Sequence, residues 1–308
     1  MKNQSIGVIG PGNHFKNRIE PVLRKNKLFK IKGFLKKKKI NKKNYFSENE
    51  FFNQKFDFVY ISCPNQLHEK YIIKSLKAGY HVICEKPFIM NSKKLRKIIS
   101  LSERYNKLIV ECFMYAYHPV FLYIKKLLKN KRLGPVDYVI SNFKFPSLNK
   151  NNNRYLKKLG NGFFYDAAVY PISLESYLFQ FKGKPRISQR IFKDKNNVDS
   201  KGYICIENNF VKRFYFWGEG QNYSNNLEIF FKKGSIFIDK FYSKKLNEQI
   251  FLKLNSSKNI YIKKFKNVDH FEIMLKNIKQ NYKKANFLKR CRKLIIDQTL
   301  LLDLIKSS

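Results

Sequence analysis

The sequence has few glycines, prolines and cysteines, and each shortage excludes a class of protein. With 13 Gly and 9 Pro among 308 residues, the chain lacks the composition of a collagen-like or low-complexity protein. Its five cysteines are odd in number, lie far apart and form no C-x-x-C pair, so neither a disulfide-stabilised fold nor a cysteine metal site is indicated. We expect a protein of a reducing compartment with no bound metal.

Long apolar runs are also missing. No stretch approaches the ~18 consecutive apolar residues that a membrane-spanning helix requires. The first four residues run almost directly into an apolar strand, without the charged, apolar and cleavable regions of a signal peptide. The sequence therefore predicts a soluble, cytoplasmic protein that has no membrane partner.

Acidic residues are scarce beside basic ones, with 22 Asp and Glu against 63 Lys and Arg, for a net charge of +41. Such a charge alone would favour a polyanionic partner. The lysines are dispersed along the whole chain, and abundant Lys, Asn, Ile, Phe and Tyr with little Ala or Gly is the composition that an AT-rich coding sequence favours. We interpret the charge as a solvated surface and predict no specific nucleic-acid partner. The run Lys36–Lys39, followed by Lys42 and Lys43, stays a local candidate.

What the chain does contain is enough apolar material for two cores, with 44% hydrophobic residues that include 29 Phe and 19 Tyr. In its first third, strand signals alternate with helical ones. The predicted strands are Ser5–Ile9, Phe29–Leu35, Phe58–Ile61, His81–Cys84 and Leu108–Val110. The predicted helices cover Gln66–Ala78 and Asn91–Tyr105, and a capping box at 47–50 opens a shorter one. This alternation predicts a doubly wound parallel sheet.

The pattern changes after about Tyr117. Eight segments between 136 and 264 are rich in aromatic and β-branched residues and predict a large, mainly antiparallel sheet. Helices are predicted near 121–129 and 167–181, and a 3.6-residue period returns from Val268 to Lys306. We therefore predict an α/β protein of two domains: a dinucleotide-binding domain over residues 1–118 and a substrate-binding α+β domain over residues 119–308.

Gly10 and Gly12 lie between the first strand and the first helix. The first glycine permits a tight turn, and the second lets the backbone approach a pyrophosphate at the positive N-terminus of the helix. The third small residue of the G-x-G-x-x-G pattern falls at Phe15, whose ring would obstruct close packing of helix and strand. From these residues alone, a dinucleotide-binding turn and a plain glycine turn stay equally open. Asn13 is a further candidate ligand in this turn.

The second predicted strand leads into Lys36, where dinucleotide-binding domains commonly carry an acid that binds the adenosine ribose. A lysine at this place would attract the 2′-phosphate of NADP. A solvated lysine loop explains the residue equally well. We expect NADP as the preferred cofactor and NAD as the alternative.

Two motifs follow strands at the carboxyl edge of the predicted sheet, where ligands bind in open α/β folds. They are Cys63–His68, which contains Pro-Asn-x-x-His, and Glu85–Pro87, which reads Glu-Lys-Pro. Together with Pro21 and Tyr117–Pro119, these motifs resemble the Gfo/Idh/MocA oxidoreductase family, which includes glucose-fructose oxidoreductase and inositol dehydrogenase. The resemblance covers nearly the whole chain. It implies an N-terminal Rossmann domain and a C-terminal α+β domain.

A segment of the second domain is similar to the family pattern of Arg, Gly-Gly-Gly and then Asp-x-Gly-x-His or Tyr. The matching residues are Arg154, Gly160–Gly162, Asp166 and Tyr170. Tyrosine at the last place is typical of the branch that contains dihydrodiol dehydrogenase and glucose-fructose oxidoreductase. Asp166 and Tyr170 are four residues apart at the start of a predicted helix, so both should point from one face. An N-capping Asp followed by a packed Tyr would be the favoured interpretation without the Glu-Lys-Pro motif.

The resemblance implies hydride transfer between nicotinamide C4 and a carbinol carbon of a sugar, polyol or cyclic diol. Tyr170 would move the proton, and because free tyrosine has a pKa of about 10, it would need the cation of Lys86 beside it. Lys86 alone could also serve. Asp166, which would hold the substrate hydroxyl, is the third candidate catalytic residue. The implied substrate-binding residues are Lys86, Arg154, Asp166 and Tyr170. The implied cofactor-binding residues beyond the glycine turn are Lys36, Pro64, Asn65, His68, Glu85 and Lys86.

The sequence departs from the family pattern at Phe15, Ala116, Asn161 and Ala168. These departures leave a second interpretation open, in which the fold binds a nucleotide or sugar as a regulator or scaffold and has weakened catalysis. Retention of Lys86, Asp166 and Tyr170 together favours the enzyme. The sequence does not specify the substrate, and it leaves open a homo-oligomer formed through the C-terminal sheet.

Overall fold

The computed structural model describes residues 4–25, 27–35, 44–149, 152–155, 162–180, 183, 185–256 and 259–308. The chain divides into two compact units. The first unit comprises Met1–Phe113 and Phe271–Asp303, and the second comprises Met114–His270 and Leu304–Ser308. The ranges 1–118 and 119–308 stay a prediction about which residues bind cofactor and substrate.

Six strands form the sheet of the first unit, and every neighbouring pair is parallel. The strands are β1 (Ser5–Ile9), β2 (Lys30–Leu35), β3 (Tyr45–Phe46), β4 (Phe58–Ile61), β5 (His81–Cys84) and β6 (Ile109–Glu111). Their order across the sheet is β3-β2-β1-β4-β5-β6. The central strands β1 and β4 are buried along their whole length, as expected when helices cover both faces of a parallel sheet. The predicted parallel sheet is confirmed.

Eight α-helices occur in the described parts of the chain. They are α1 (Glu20–Lys25), α2 (Glu48–Phe52), α3 (His68–Lys77), α4 (Leu95–Arg104), α5 (Pro119–Asn130), α6 (Val169–Leu174), α7 (His270–Asn281) and α8 (Ala285–Ser307). The predicted capping box opens α2, where Ser47 and Glu50 satisfy each other's backbone N–H groups. A buried apolar cluster joins the sheet to its helices through residues such as Ile61, Leu76 and Ile98.

The second unit contains an eight-stranded sheet. Its strands are β7 (Val136–Lys144), β8 (Arg186–Lys193), β9 (Asp199–Asn208), β10 (Val211–Gly218), β11 (Ser224–Phe231), β12 (Gly234–Asp239), β13 (Phe251–Ser256) and β14 (Ile260–Lys264). Their order is β14-β13-β12-β11-β7-β10-β9-β8. All neighbours are antiparallel except β7 and β10, which are parallel. The predicted large, mainly antiparallel sheet is confirmed.

A helical segment lies against this second sheet. It begins as a π-helix at Phe164–Ala168, continues as α6 and ends as a second π-helix at Glu175–Phe179. Buried Glu175 accepts hydrogen bonds from Arg213 Nε at 2.6 Å and from the Tyr215 hydroxyl at 2.5 Å, both on β10. This buried ion pair fixes the segment on the sheet, because removing one partner would leave an uncompensated charge.

The sequence patterns led to predictions about membrane-spanning helices, cysteines and metal sites, and the structure describes each of these features. No helix among the described residues is long and apolar enough to cross a membrane. All five cysteines are free thiols. Within the described ranges, no group of three or more His, Cys, Asp or Glu side chains could hold a metal ion.

Candidate active site

The glycine turn after β1 has the geometry that the motif requires. Gly10 adopts a φ of +71°, and a Cβ there would lie 2.6–2.9 Å from atoms of Cys63, so only glycine fits. A Cβ on Gly12 would meet only the Gly10 carbonyl oxygen, at 3.9 Å. The surface above Gly12 and the exposed Asn13 is therefore open to a ligand. The turn has the cradle that a dinucleotide diphosphate needs.

Phe15 does not obstruct this turn, contrary to the prediction from the sequence. The ring is fully buried and packs against Phe34 and Tyr60, with centroid distances of 6.4 and 5.7 Å. The helix is wound as a π-helix over Phe15–Ile19 before it continues into α1. The aromatic neighbours and the wider helical turn accommodate a ring where a small residue is usual.

Glu85 and Lys86 directly follow β5, at the carboxyl edge of the same sheet. Glu85 Oε1 accepts a hydrogen bond from the Tyr60 hydroxyl at 2.5 Å and lies 3.1 Å from His14 Nε2. Burial opposes ionisation of Glu85, but His14, Tyr60 and Lys86 outweigh it and lower the pKa of the carboxyl. Lys86 is half-buried beside this carboxylate.

His68 is wholly buried at the start of α3. Its Nδ1 lies 2.8 Å from the Pro87 carbonyl oxygen and its Nε2 lies 3.0 Å from the Cys63 carbonyl oxygen. The ring thus links the loop after β4 to the loop that carries Lys86. Burial lowers the pKa of His68. A direct cofactor contact by His68 stays a prediction, whereas the exposed Pro64 and half-exposed Asn65 lie at the surface of the same loop.

Glu111, at the end of β6, is a buried acid whose charge interacts with that of Lys86, and the sequence patterns did not single it out. Its carboxyl group is buried, with Oε1 accepting the Phe88 backbone N–H at 2.8 Å. Among the described residues, no group donates a hydrogen bond to its Oε2. Burial raises the pKa of Glu111 to about 8, although the Phe88 N–H and Lys86 act to lower it. An acid ending an apolar strand, one strand away from Lys86, was the available signal.

In the second unit, Asp166 and Arg154 form an ion pair. Arg154 Nε lies 2.6 Å from Asp166 Oδ2, and a second guanidinium nitrogen donates to Oδ1 at 3.2 Å. Both side chains are partly exposed, with 39% of Arg154 and 20% of Asp166 accessible. The two predicted substrate-binding residues are therefore adjacent, and Arg154 orients the carboxylate through two hydrogen bonds.

Tyr170 lies on α6 in an aromatic cluster. Its ring centroid is 4.5 Å from that of Phe143, 5.7 Å from that of Tyr242 and 6.4 Å from that of Tyr115. Only 8% of the residue is exposed. The preceding π-helix contains Asp166 and the wholly buried Ala168. Packing thus fixes the ring, as a proton-transferring phenol requires.

Part of the predicted site lies outside the described residues, namely Lys36, Gly160 and Asn161. The first unit brings Gly10, Gly12, Asn13, Pro64, Asn65, His68, Glu85 and Lys86 to the carboxyl ends of β1, β4 and β5. The second unit brings together Arg154 and Asp166, with Tyr170 one helical turn further on. The pairing of Lys86 with Tyr170 stays a prediction.

A parallel sheet with this strand order and an open glycine turn after its first strand is the arrangement of a dinucleotide-binding domain. Residues 4–113 match the model of an oxidoreductase family with an NAD-binding Rossmann fold, and residues 121–237 match the Gfo/Idh/MocA C-terminal domain. The chain belongs to the Gfo/Idh/MocA family. This confirms the resemblance inferred from the sequence.

Curated relatives include a trans-1,2-dihydrobenzene-1,2-diol dehydrogenase of Xenopus laevis, 27% identical over 151 residues, which are 49% of this chain and 46% of the relative. A dTDP-3,4-didehydro-2,6-dideoxy-alpha-D-glucose 3-reductase of Actinomadura kijaniata is 24% identical over 191 residues, 61% of this chain and 57% of the relative. The chain thus spans about half the length of the curated relatives it matches.

Solved structures share the fold over nearly the whole chain. A 3-ketoreductase from Actinomadura kijaniata in complex with TDP-benzene and NADP superposes with a TM-score of 0.90 at 18% identity, covering 99% of this chain and 98% of the other. An aldose-aldose oxidoreductase from Caulobacter crescentus gives a TM-score of 0.85 at 15% identity, with coverage of 99% and 98%. At these identities the likeness establishes the fold.

Proposed function

We propose that this protein is an NAD(P)-dependent dehydrogenase or reductase acting on the CH–OH group of a sugar, polyol or cyclic diol. The observation that carries the proposal is the carboxyl edge of the first sheet, where Lys86 and ionised Glu85 follow β5 beside the open turn at Gly10 and Gly12. Residues 1–118 would bind the dinucleotide, and residues 119–308 would bind the substrate. The named relatives, which are diol dehydrogenases and sugar reductases, support this substrate class.

The bound nicotinamide would accept or supply the hydride at C4. In the oxidation direction, the Tyr170 phenolate, stabilised by the Lys86 cation, takes the proton of the substrate hydroxyl and becomes the neutral phenol. Arg154 and Asp166 bind the substrate as an oriented pair. In the reduction direction, the same groups return the proton to the carbonyl oxygen.

We infer NADP as the preferred cofactor, because Lys36 follows the strand whose end meets the adenosine ribose in Rossmann domains. The ketoreductase relative with NADP in its structure supports this preference. Lys36→Asp should raise the Kd for NADPH at least tenfold and leave the Kd for NADH nearly unchanged. Tighter binding of NADH than of NADPH by the wild type would make the lysine run a solvated loop.

A regulator or scaffold with weakened catalysis is the second candidate. The observation that favours it is the engagement of both Asp166 carboxylate oxygens by Arg154, which leaves Asp166 less available to a substrate hydroxyl. A protein of this kind would bind cofactor or sugar without turnover.

A homodimer through the second sheet is also proposed. One face of β7, β10 and β11 carries four half-exposed apolar side chains, those of Tyr138, Ile140, Phe214 and Phe230. The rings of Tyr138 and Phe230 are stacked, with their centroids 4.2 Å apart. Aromatic residues of this kind are typical of the buried centre of an interface. Light scattering should give a dimer mass for the wild type and a monomer mass for Phe214→Glu. A monomeric wild type would contradict the proposal.

The test of the proposed activity is a substrate panel. Purified protein is mixed with NADP⁺ and sugars, inositols or cyclic trans-diols, and reduced nicotinamide is followed by its absorbance. We expect turnover with at least one member and a lower rate with NAD⁺. Tight cofactor binding without turnover on any member, in either direction, would favour the regulator.

A further inference from the structure

His14 occupies a position between the glycine turn and Glu85. Its Nε2 lies 3.1 Å from Glu85 Oε1, and its ring packs edge-on against Phe271 with a centroid distance of 5.6 Å. The side chain is nevertheless 48% exposed. The imidazole is therefore held from one side by a carboxylate and a ring, while its other side is open.

Glu85 determines which nitrogen of His14 remains available. Since Glu85 is ionised and already accepts the Tyr60 hydroxyl at Oε1, His14 must donate to it from Nε2–H. Nδ1 of His14 makes no hydrogen bond to any residue that the structure describes. When both ring nitrogens carry a proton, Nδ1–H is a charged donor without an acceptor among the residues that the structure describes.

The protein surface beside His14 is suited to bind a phosphate oxygen. His14 comes two residues after Gly12, above which the surface is open, and the backbone there starts a helix. A glycine turn at a helix start is a place where a dinucleotide diphosphate binds, through backbone N–H groups. An imidazolium within the same turn adds a charge-assisted hydrogen bond, which is stronger than a neutral one.

We propose that His14 is a further cofactor-binding residue, which donates from Nδ1 to a diphosphate oxygen of the dinucleotide while Glu85 positions its ring. This inference rests on the proposed dinucleotide function and adds a side chain that the motif does not specify. Glu85 thereby has two neighbours in the cofactor site: it positions His14 for the diphosphate, and it lies next to Lys86. The ligand class is an organic diphosphate.

The test measures the Kd of three ligands with four proteins. The ligands are NADPH, 2′-phospho-ADP-ribose, which keeps the diphosphate but lacks nicotinamide, and adenosine 2′-monophosphate, which lacks the diphosphate. His14→Leu keeps the bulk that packs on Phe271 and removes the donor, and His14→Gln keeps a neutral donor. Lys16→Ala is the matched control, because it removes a positive charge from an exposed residue of the same helical segment.

We expect His14→Leu to weaken NADPH and 2′-phospho-ADP-ribose by the same factor, about tenfold, as for loss of one hydrogen bond to a charged group. The Kd of adenosine 2′-monophosphate should stay within twofold. His14→Gln should give a smaller loss, and Lys16→Ala should change no Kd more than twofold.

Two results would overturn this inference while leaving the proposed function intact. One is wild-type affinity for NADPH in His14→Leu, and the other is an equal loss for all three ligands, which would mean that the substitution disturbs the turn as a whole. Absence of NADPH and NADH binding by the wild type would instead overturn both proposals.

Discussion

Glu111 is a buried acid at the end of β6 that the sequence patterns did not single out. Its pKa, raised by burial to about 8, lies above the ordinary value of 4.5 for a glutamate in water, which we take for the unfolded chain. The folded protein therefore keeps a proton that the unfolded chain releases between those two values. The stabilisation is fully present below pH 4.5 and is lost as the pH rises through about 8, with an upper limit on the order of 5 kcal/mol.

Glu111→Gln tests this directly. The amide oxygen can still accept the Phe88 N–H, but the side chain cannot ionise. In denaturant titrations between pH 5 and 9, we expect the free energy of unfolding of the variant relative to wild type to increase with pH. The control is Glu103→Gln, at an exposed carboxylate, which should show no such trend. A constant difference between variant and wild type would show that Glu111 does not bind a proton in this range.

Tyr170 is the residue that we propose to transfer the proton. Tyr170→Phe keeps the ring that packs against Phe143 and Tyr242 and removes only the hydroxyl. Turnover should fall about a hundredfold or more, with cofactor affinity and melting temperature little changed. Steady-state kinetics on the best substrate of the panel is the measurement. Near wild-type turnover would make Tyr170 a packing residue and transfer the proton step to Lys86.

Lys86→Met should cost at least as much turnover as Tyr170→Phe, because it removes the cation that stabilises the phenolate. If the two residues act as a unit, the double variant should be no slower than the slower single one. Independent, multiplying losses would contradict a shared proton-transfer step.

In the β1–turn–helix element, Gly10 and Gly12 have different functions: we expect Gly10 to be required for stability and Gly12 for cofactor binding. Gly10→Ala forces a Cβ to within 2.9 Å of Cys63 backbone atoms at a φ of +71°, and should destabilise the protein by roughly 1–3 kcal/mol. The Cβ of Gly12→Ala would lie in open space, so the free energy of unfolding of this variant should change little. Its affinity for NADPH should fall, because the methyl group occupies the surface that the diphosphate would approach. Denaturation and NADPH titration of both variants check this. Equal destabilisation by the two would mean that the turn is purely structural.

Local sequence patterns predicted the elements that have a local cause. Strands β1, β4 and β5 are short apolar runs that end at glycine or proline turns, and their positions follow from this pattern. The two-residue strand β3 is too short to show any pattern. The parallel pairing of β7 with β10 joins segments that are distant in the chain, and no local periodicity encodes it.

The candidate site shows the same division. The glycine turn could be predicted from its place between a strand and a helix, and the Glu-Lys-Pro loop from its place after a strand together with the family resemblance. The burial of Glu111 and the contact of His14 could not, since they depend on residues distant in the sequence, the Phe88 backbone and the Glu85 carboxylate. Phe15 was misjudged for a similar reason, because Phe34 and Tyr60 provide the space for its ring.

At the scale of the whole molecule, the net charge of +41 affects any measurement with an anionic ligand. Dispersed lysines attract phosphate compounds without specificity, and this attraction weakens as salt screens it. A specific cofactor site adds hydrogen bonds and buried contacts, which salt screens less than it screens the attraction of surface charges. Binding must therefore be measured at physiological ionic strength and must saturate at one molecule per chain.

Every proposed step requires a bound nicotinamide, so the decisive experiment is a calorimetric titration of the wild-type protein with NADPH and with NADH. We predict saturable binding of NADPH with a stoichiometry of one per chain at about 0.15 M salt, a weaker affinity for NADH, and loss of NADPH affinity in Gly12→Ala. Failure of the folded protein to bind either dinucleotide, or binding that disappears with salt and is unchanged by Gly12→Ala, would show that the glycine turn is not a nicotinamide dinucleotide site.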